Sequence, residues 1–388
     1  MKILMVVEAS GGGVGRHVLD LAAGLTERQH QVHIIYSPLR MDRQFSKRKQ
    51  SLSQVRFVPY PLKRSPNPGD LAALKFIRAY FKANGGFDLI HGHSSKAGAL
   101  VRLAAAGLAP VVYTPHAFKT MDPGLSKAKK VLVTAAEYAL GLIGDGIILV
   151  SEDEYEHALK LSLPKQKLYI VKNGIKLPDT LEETSASLEL RKEYKLPEEA
   201  VVLGFVGRLV PQKAPEILFK AFELLAPKFK DAYLCYVGQG PLLPLMQKKA
   251  AGSPFKDRVI FAGEQDGSKM MKMFDVFVLP SRYEGMPYVL LEAQAAGLPL
   301  VGTKVGGVRD IVQPGLNGYL VEVEDYRELA LKLEDLILDP NKRRLFGRES
   351  QARARLFTVE RMVRHTLEVY ELICQRQFAR KAVVRNEY

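Results

Sequence analysis

Short apolar runs recur along this chain, each closed by a turn and followed by a stretch with helical periodicity. The first series comprises Ile3–Val7, Val32–Tyr36, Val55–Val58, Leu89–His91, Val111–Thr114, Gly146–Val150 and Leu168–Val171. A second series follows at Val201–Val206, Ala232–Val237, Val259–Ala262, Val276–Leu279, Pro299–Val301 and Gly318–Val321. Such runs are apolar almost throughout, with no in–out alternation, which marks strands buried on both faces. Alternation with helices predicts α/β architecture with parallel sheets covered on both sides. At 388 residues the chain exceeds one ordinary core, so two domains are expected. The polar segment Lys176–Glu199, with Pro178 and Pro197, is the candidate linker. It places the domains at residues 1–178 and 179–356, with a last helical pattern over 357–388.

Composition narrows the class. Hydrophobic residues at 47% and charged ones at 25% suit a soluble globular protein. Cys235 and Cys374 form neither a disulfide framework nor a metal cluster and fit a reducing, cytoplasmic setting. The opening run reads as a first strand, since it meets Glu8 too soon for a signal peptide. No apolar stretch reaches the roughly 20 residues of a spanning helix.

The net charge of +14 is uneven, residues 1–180 holding 25 Lys and Arg against 14 Asp and Glu. Nucleic acid, an anionic membrane surface and solubility alone are the three readings of such a half. The basic clusters lack interleaved aromatics apart from Phe45, and no DNA- or RNA-binding motif accompanies them, so no nucleic-acid partner is expected. Segment 125–143 mixes Lys127, Lys129 and Lys130 with apolar residues. It reads as a core-facing helix or as a basic amphipathic helix for peripheral contact with an anionic membrane. The tail Arg376–Arg385 adds four basic residues, frayed or against anionic lipid.

Four loops carry candidate chemistry. Ser281-Arg-Tyr-Glu-Gly-Met-Pro-Tyr-Val-Leu-Leu-Glu292 follows an apolar strand. Pro287 suits a first helical position, Glu284 falls at the helix entrance, and Glu292 about two turns in. Free amides at such an entrance, around Gly285 and Met286, form an anion site flanked by two carboxylates. Gly207-Arg-Leu-Val-Pro-Gln-Lys213 leaves the first strand of the second series, and a guanidinium plus an ammonium there suit a diphosphate. Ser10-Gly-Gly-Gly-Val-Gly-Arg-His17 lets backbone approach a ligand ahead of a helix near Val18–Leu25. The dinucleotide fingerprint fails there, because Arg16 or Val18 stands where its last glycine belongs. The fourth loop, Tyr113-Thr-Pro-His-Ala-Phe118, puts His116 beyond a strand's carboxyl end, where open α/β sheets bind ligands. His91 and His93 lie on one side of their strand, and no third or fourth ligand is spaced for a metal. Taken singly, each of these residues also reads as a solvated charge, a tight turn or a structural histidine.

Together these motifs resemble the retaining GT-B glycosyltransferases of family 4. The paired glutamates in E-G-M-P-Y-V-L-L-E-A, the G-R-L-V-P-Q-K loop, the glycine-rich loop, His116 and Asn173-Gly-Ile175 stand in the family's order across nearly the whole chain. Ala214 departs from the glycine that often follows the lysine. The resemblance implies two Rossmann-like domains facing a cleft, an acceptor-binding first and a donor-binding second, with the last helix packing back on the first. It implies transfer of a hexose or N-acetylhexosamine from a nucleotide-sugar, with UDP as the expected nucleotide, to a glycan or lipid-linked acceptor in polysaccharide or glycoconjugate assembly. No cofactor and no metal are expected, because Arg208 and Lys213 would stabilise the leaving diphosphate. Glu292 would hold the ribose, Glu284 the sugar hydroxyls with amides of Gly285 and Met286, and His116 the donor sugar. Gly12, Gly13 and Arg16 would face phosphate from the first domain. A UDP-sugar epimerase of the same architecture and an anionic-surface or nucleic-acid binding protein are the rival readings.

Overall fold

The computed structural model describes residues 1–177 and 184–386. Two compact units divide the chain: Met1–Gly174 joined by Val359–Tyr388, and Ile175–Thr358. The expected boundary at 178 and 179, within the candidate linker, lies outside the described residues; the linker's later part forms the helix Thr184–Glu193.

The first unit holds seven strands, β1 (Lys2–Val7), β2 (Gln31–Tyr36), β3 (Arg56–Pro59), β4 (Leu89–His93), β5 (Val111–Thr114), β6 (Gly146–Leu149) and β7 (Leu168–Ile170). They form one parallel sheet in the order β3-β2-β1-β4-β5-β6-β7. Ile3 to Val7 are fully buried, as a central parallel strand covered on both faces requires. Strand order reverses between β1 and β4, so the loops leaving these strands flank a crevice at the carboxyl edge.

The second unit repeats the plan with β8 (Val201–Val206), β9 (Ala232–Val237), β10 (Val259–Gly263), β11 (Val276–Leu279), β12 (Leu300–Thr303) and β13 (Gly318–Val321). The order is β10-β9-β8-β11-β12-β13, again all parallel. Its reversal lies between β8 and β11, which are the strands that feed the Gly207–Lys213 loop and the paired-glutamate loop.

The closing helix Val359–Asn386 belongs to the first unit. Met362, Val363, Leu367, Tyr370 and Ile373 join the core formed by β1, β2 and the helix Gly12–Glu27. Gly24 permits this approach, since a Cβ there would lie 2.5 Å from Val363 Cγ2. Backbone of the basic tail stays helical to Asn386, and Arg376 donates to the carbonyl of Gln166 and to the Tyr169 hydroxyl.

The core-facing reading of the 125–143 segment does not hold. In the helix Lys127–Ile143 the buried residues are Glu137 and Gly141, while Val131 and Leu132 are each 71% exposed. Glu137 turns inward because it meets the buried Arg102 at 3.1 Å and accepts from the Tyr113 hydroxyl at 3.1 Å. That contact fixes the helix's rotation and leaves its apolar side outward. Among the described residues no helix is long and apolar enough to cross a membrane.

Candidate active site

In the second unit, the loop after β8 is packed on the loop after β9, and the loop after β11 on the loop after β12, by close backbone contacts. The amide of Gly207 bonds Val237 O, and that of Leu209 bonds Gln239 O, both at 2.9 Å. A Cβ on Gly238 would lie 2.2 Å from Gly207 O, and one on Gly240 2.4 Å from Leu209 O. Glycine is therefore required there by contact with the Gly207–Leu209 backbone. Gly306 plays the same part behind the glutamate loop: its φ is +40°, and a Cβ would meet Glu284 O at 1.9 Å. The amide of Gly307 donates to Gly285 O, and the amide of Arg282 bonds Gln212 O at 2.8 Å, so four loops share one backbone cluster.

On that cluster Lys213 Nζ meets Glu284 Oε1 at 2.6 Å, and Ser281 Oγ donates to the same oxygen at 2.6 Å. Glu284 is buried and Lys213 largely so. The sequence gives both residues a role but not their pairing. Arg282 supports the frame from outside, pairing with Glu216 at 2.6 Å and with Glu324, while its amide bonds Gln212 O. Arg208 is exposed on the same loop as Lys213, and Met286 is buried beside Gly307. The helix Tyr288–Ala295 starts after Pro287, which stands at the cap position with extended backbone. Pro287 is thus outside the first turn, and Glu292 lies about one turn in, not two. Its carboxylate accepts from Ser268 Oγ at 3.3 Å.

In the first unit the glycine segment is already helix. The helix Gly12–Glu27 opens at Gly12, whose amide donates to Asp42 Oδ2 at 2.6 Å. This carboxylate caps the helix in place of a side chain at Gly11. Gly13, Arg16 and His17 consequently sit on helical backbone, and Arg16 lies 3.5 Å from Asp20. Gly15 is needed because a Cβ would strike Ser10 O at 2.4 Å.

The carboxyl edge of this sheet is an imidazole cluster. His17 from the first helix, His91 and His93 from β4, and His116 beyond β5 pack with ring centroids between 3.9 and 5.4 Å apart. His17 Nδ1 bonds Asn173 Oδ1 at 3.0 Å, and His93 Nδ1 bonds His116 Nε2 at 3.2 Å. His91 bonds the Tyr370 hydroxyl at 2.5 Å and Thr114 Oγ1 at 2.8 Å. Burial lowers all four imidazoles, His17 to about 4, and for His91, His93 and His116 neighbouring imidazoles push the same way. They are neutral near pH 7; His17, His91 and His93 are buried, and the partly exposed His116 offers an uncharged ring suited to hydroxyl groups.

His17 and His116 supply the neighbours of His93 that sequence spacing missed. Nitrogens of His17, His93 and His116 lie within 4.8 Å of one another, so the fold assembles three imidazoles that could hold a metal ion where spacing along the chain showed only two on one side of a strand. A further missed residue is Glu154, fully buried in the helix Glu152–Lys160. Its Oε1 accepts from the amide of Ala117 and its Oε2 from that of Val150, at 2.9 Å for the latter. Burial pushes this carboxyl up to about 7 against the pull of the two amides. The Ser151-Glu-Asp-Glu154 spacing is a capping-box signature that could have flagged it, and Ser151 Oγ does accept from Glu154 N.

Known proteins match over both units. The model of glycosyl transferases group 1 matches residues 187–353, and that of glycosyltransferase family 4 matches residues 11–178. An Escherichia coli protein, UDP-Gal:alpha-D-GlcNAc-diphosphoundecaprenol alpha-1,3-galactosyltransferase, is 31% identical over 62% of this chain and 63% of its own length. D-inositol 3-phosphate glycosyltransferase of Salinispora tropica is 28% identical over 92% of this chain and 80% of its own. Among solved structures, HepE of Anabaena in complex with UDP superposes with a TM-score of 0.80 at 21% identity, covering 96% of this chain and all of that one. Two Rossmann-like units with parallel sheets, both family models and relatives named as glycosyltransferases agree: this chain belongs to glycosyltransferase family 4 and is a glycosyltransferase of GT-B fold.

Proposed function

We propose that the enzyme is a metal-independent, retaining transferase that moves a hexose or N-acetylhexosamine from a UDP-sugar to a glycan or lipid-linked acceptor in polysaccharide or glycoconjugate assembly. The observation that carries this reading is the Lys213–Glu284 pair at the strand-order reversal of the second unit, with Arg208 exposed on the same loop. Cations on a backbone frame that cannot shift are suited to charge developing on a leaving diphosphate. Arg208 and Lys213 take the diphosphate, while Glu284 takes sugar hydroxyls beside the backbone of Gly285 and Met286. Glu292 takes the ribose. In the first unit, neutral His116 faces the donor sugar, Gly13 faces the donor phosphate, and Gly12 and Arg16 form the loop for acceptor and phosphate. The anomeric carbon–oxygen bond to phosphate breaks as the acceptor hydroxyl attacks the same face, and the hydroxyl proton passes to the departing phosphate oxygen.

The donor class is supported by the E. coli relative, named for UDP-Gal and a diphosphoundecaprenol acceptor, and by HepE, solved with UDP and with UDP-glucose. A lipid-linked acceptor brings the enzyme to the inner face of the cell membrane. Exposed Val131, Leu132, Tyr138, Leu142 and Ile143 beside Lys127, Lys129 and Lys130 suit that surface.

Calorimetric titration with UDP, GDP and ADP, each with and without EDTA, tests the donor site. Tight UDP binding unaffected by EDTA is expected; binding of none of the three, or binding lost with EDTA, overturns the reading. Sedimentation with phosphatidylglycerol vesicles at low and high salt tests the membrane part, which fails if the protein stays in the supernatant at both.

A further inference from the structure

His116 and Ala117 both adopt left-handed backbone, with φ of +54° and +82°. Consecutive residues with side chains in this region are strained, because Cβ crowds the following carbonyl. Such a segment persists only where its surroundings over-determine it. The helix Glu152–Lys160 supplies that constraint at two points. Glu154 receives the Ala117 amide, and one turn later His157 Nε2 bonds Thr120 Oγ1 at 2.7 Å. Glu154 is itself fixed, because its second oxygen holds Val150 N and its own amide is capped by Ser151.

We propose that Glu154 is a positioning residue for His116: its carboxylate clamps the strained Ala117 backbone, and so holds the preceding imidazole where the sugar is handled. The role given to His116 rests on the function proposed above; the clamp itself rests on geometry alone. Two amide donors reach two different carboxylate oxygens, so only a group with two acceptors on one fork satisfies both. Glutamine has the same shape but one acceptor. At position 154 it must abandon either Ala117 or Val150 and turn an NH2 toward the other donor. An aspartate is shorter by one methylene and cannot span both amides.

The test uses the full chain in four forms: wild type, Glu154→Gln, Ala117→Gly and the double variant. Glycine adopts φ of +82° without strain, so Ala117→Gly lowers the loop's need for the clamp. Glu154→Gln should reduce kcat about 100-fold, the size expected when a reacting group is displaced by about 1 Å. The donor KM and the affinity for UDP should stay within about 3-fold, because those contacts belong to the second unit. Ala117→Gly in the Glu154→Gln background should recover about 10-fold of the lost kcat. A residue that only stabilises the fold would show no such split and no such rescue.

Histidine-selective NMR of the same four proteins reads the clamp without any transfer assay. His116 ring resonances should move in Glu154→Gln and return toward wild type in the double variant. If the chain proves to have no transferase activity, the functional reading fails while the NMR comparison still decides the clamp. Wild-type kcat with unmoved His116 resonances in Glu154→Gln overturns the proposal. So does a loss of kcat accompanied by loss of UDP binding, or a double variant no better than Glu154→Gln in both readouts.

Discussion

The two units share one plan, a parallel sheet whose strand order reverses once, with loops of interest leaving the strands at the reversal. They differ in what they place there. All eight histidines of the chain fall in the first unit and none in the second. The first unit's edge is a set of neutral imidazoles, buried apart from the partly exposed His116, that hydrogen-bond to one another, to Asn173, Thr114 and Tyr370. The second unit's edge is a buried ion pair on a frame of glycine contacts. Neutral donors and acceptors discriminate hydroxyl patterns at little electrostatic cost, whereas a paired charge is poised to redistribute when an anion arrives. One scaffold thus carries two kinds of edge, and the division of roles proposed for them can be broken by experiment.

The largest effect is expected from Lys213→Ala. Removing the cation leaves Glu284 buried without it, which should destabilise the second unit by about 3 kcal/mol. It should also lower kcat/KM by about 100- to 1000-fold through lost charge stabilisation. His116→Ala removes no charge, and should leave UDP affinity within about 3-fold while transfer falls. Calorimetry with UDP and urea melts of both variants make the comparison. Equal loss of UDP affinity in the two would show that the units do not divide the donor as drawn.

Acid should separate the units next. An imidazole whose pKa is lowered on folding binds its proton in the unfolded chain first, so its contribution is complete above about 6.5 and is lost as pH falls through the folded value. For His17, held at about 4, this amounts to roughly 3 kcal/mol, and His91, His93 and His116 act in the same direction. Glu154 opposes them. Raised to about 7, its contribution is complete below about 4.5 and is lost as pH rises through 7. Four imidazoles outweigh one carboxyl, so the first unit should weaken between pH 6.5 and 4. Hydrogen exchange at pH 7 and pH 5, corrected for intrinsic rates, should show protection falling in β1 and β4 before β8 and β11. Parallel loss in both sheets would contradict the account.

Much of this architecture is legible in the chain because parallel strands buried on both faces leave continuous apolar runs. All thirteen runs named from sequence overlap strands, the third shifted by one residue to Arg56–Pro59 and the twelfth, read as Pro299–Val301, shifted to Leu300–Thr303. The motif loops were also legible, since glycine, proline and paired charges at strand ends have few other uses. Contacts between distant segments were not. His17 meets Asn173 across 156 residues, and Lys213 meets Glu284 across 71, separations on which local periodicity carries no information. The helix Lys127–Ile143 was misjudged for a related reason: its rotation is set by Arg102 and Tyr113, and its own apolar pattern does not record them.

The smallest effect sharpens a likeness between the units. Each follows its site residue with an alanine in left-handed backbone, Ala117 after His116 and Ala214 after Lys213. Ala214 has φ of +47° and is fully buried, capping the short turn Pro211–Lys213 and opening the helix Pro215–Leu225. Left-handed backbone costs alanine about 1–2 kcal/mol, and the added freedom of glycine in the unfolded chain returns about 0.4–1 kcal/mol of that. Ala214→Gly should therefore stabilise the second unit by about 0.5 kcal/mol, read as a small rise in urea midpoint with an unchanged slope. Transfer rates should stay within about 2-fold of wild type, because Glu284, itself held by Ser281, still pairs with Lys213 while the strain lies one residue beyond it. A destabilised Ala214→Gly variant would mean that the buried methyl packs better than its backbone strain costs, and that the two alanines are alike in conformation only.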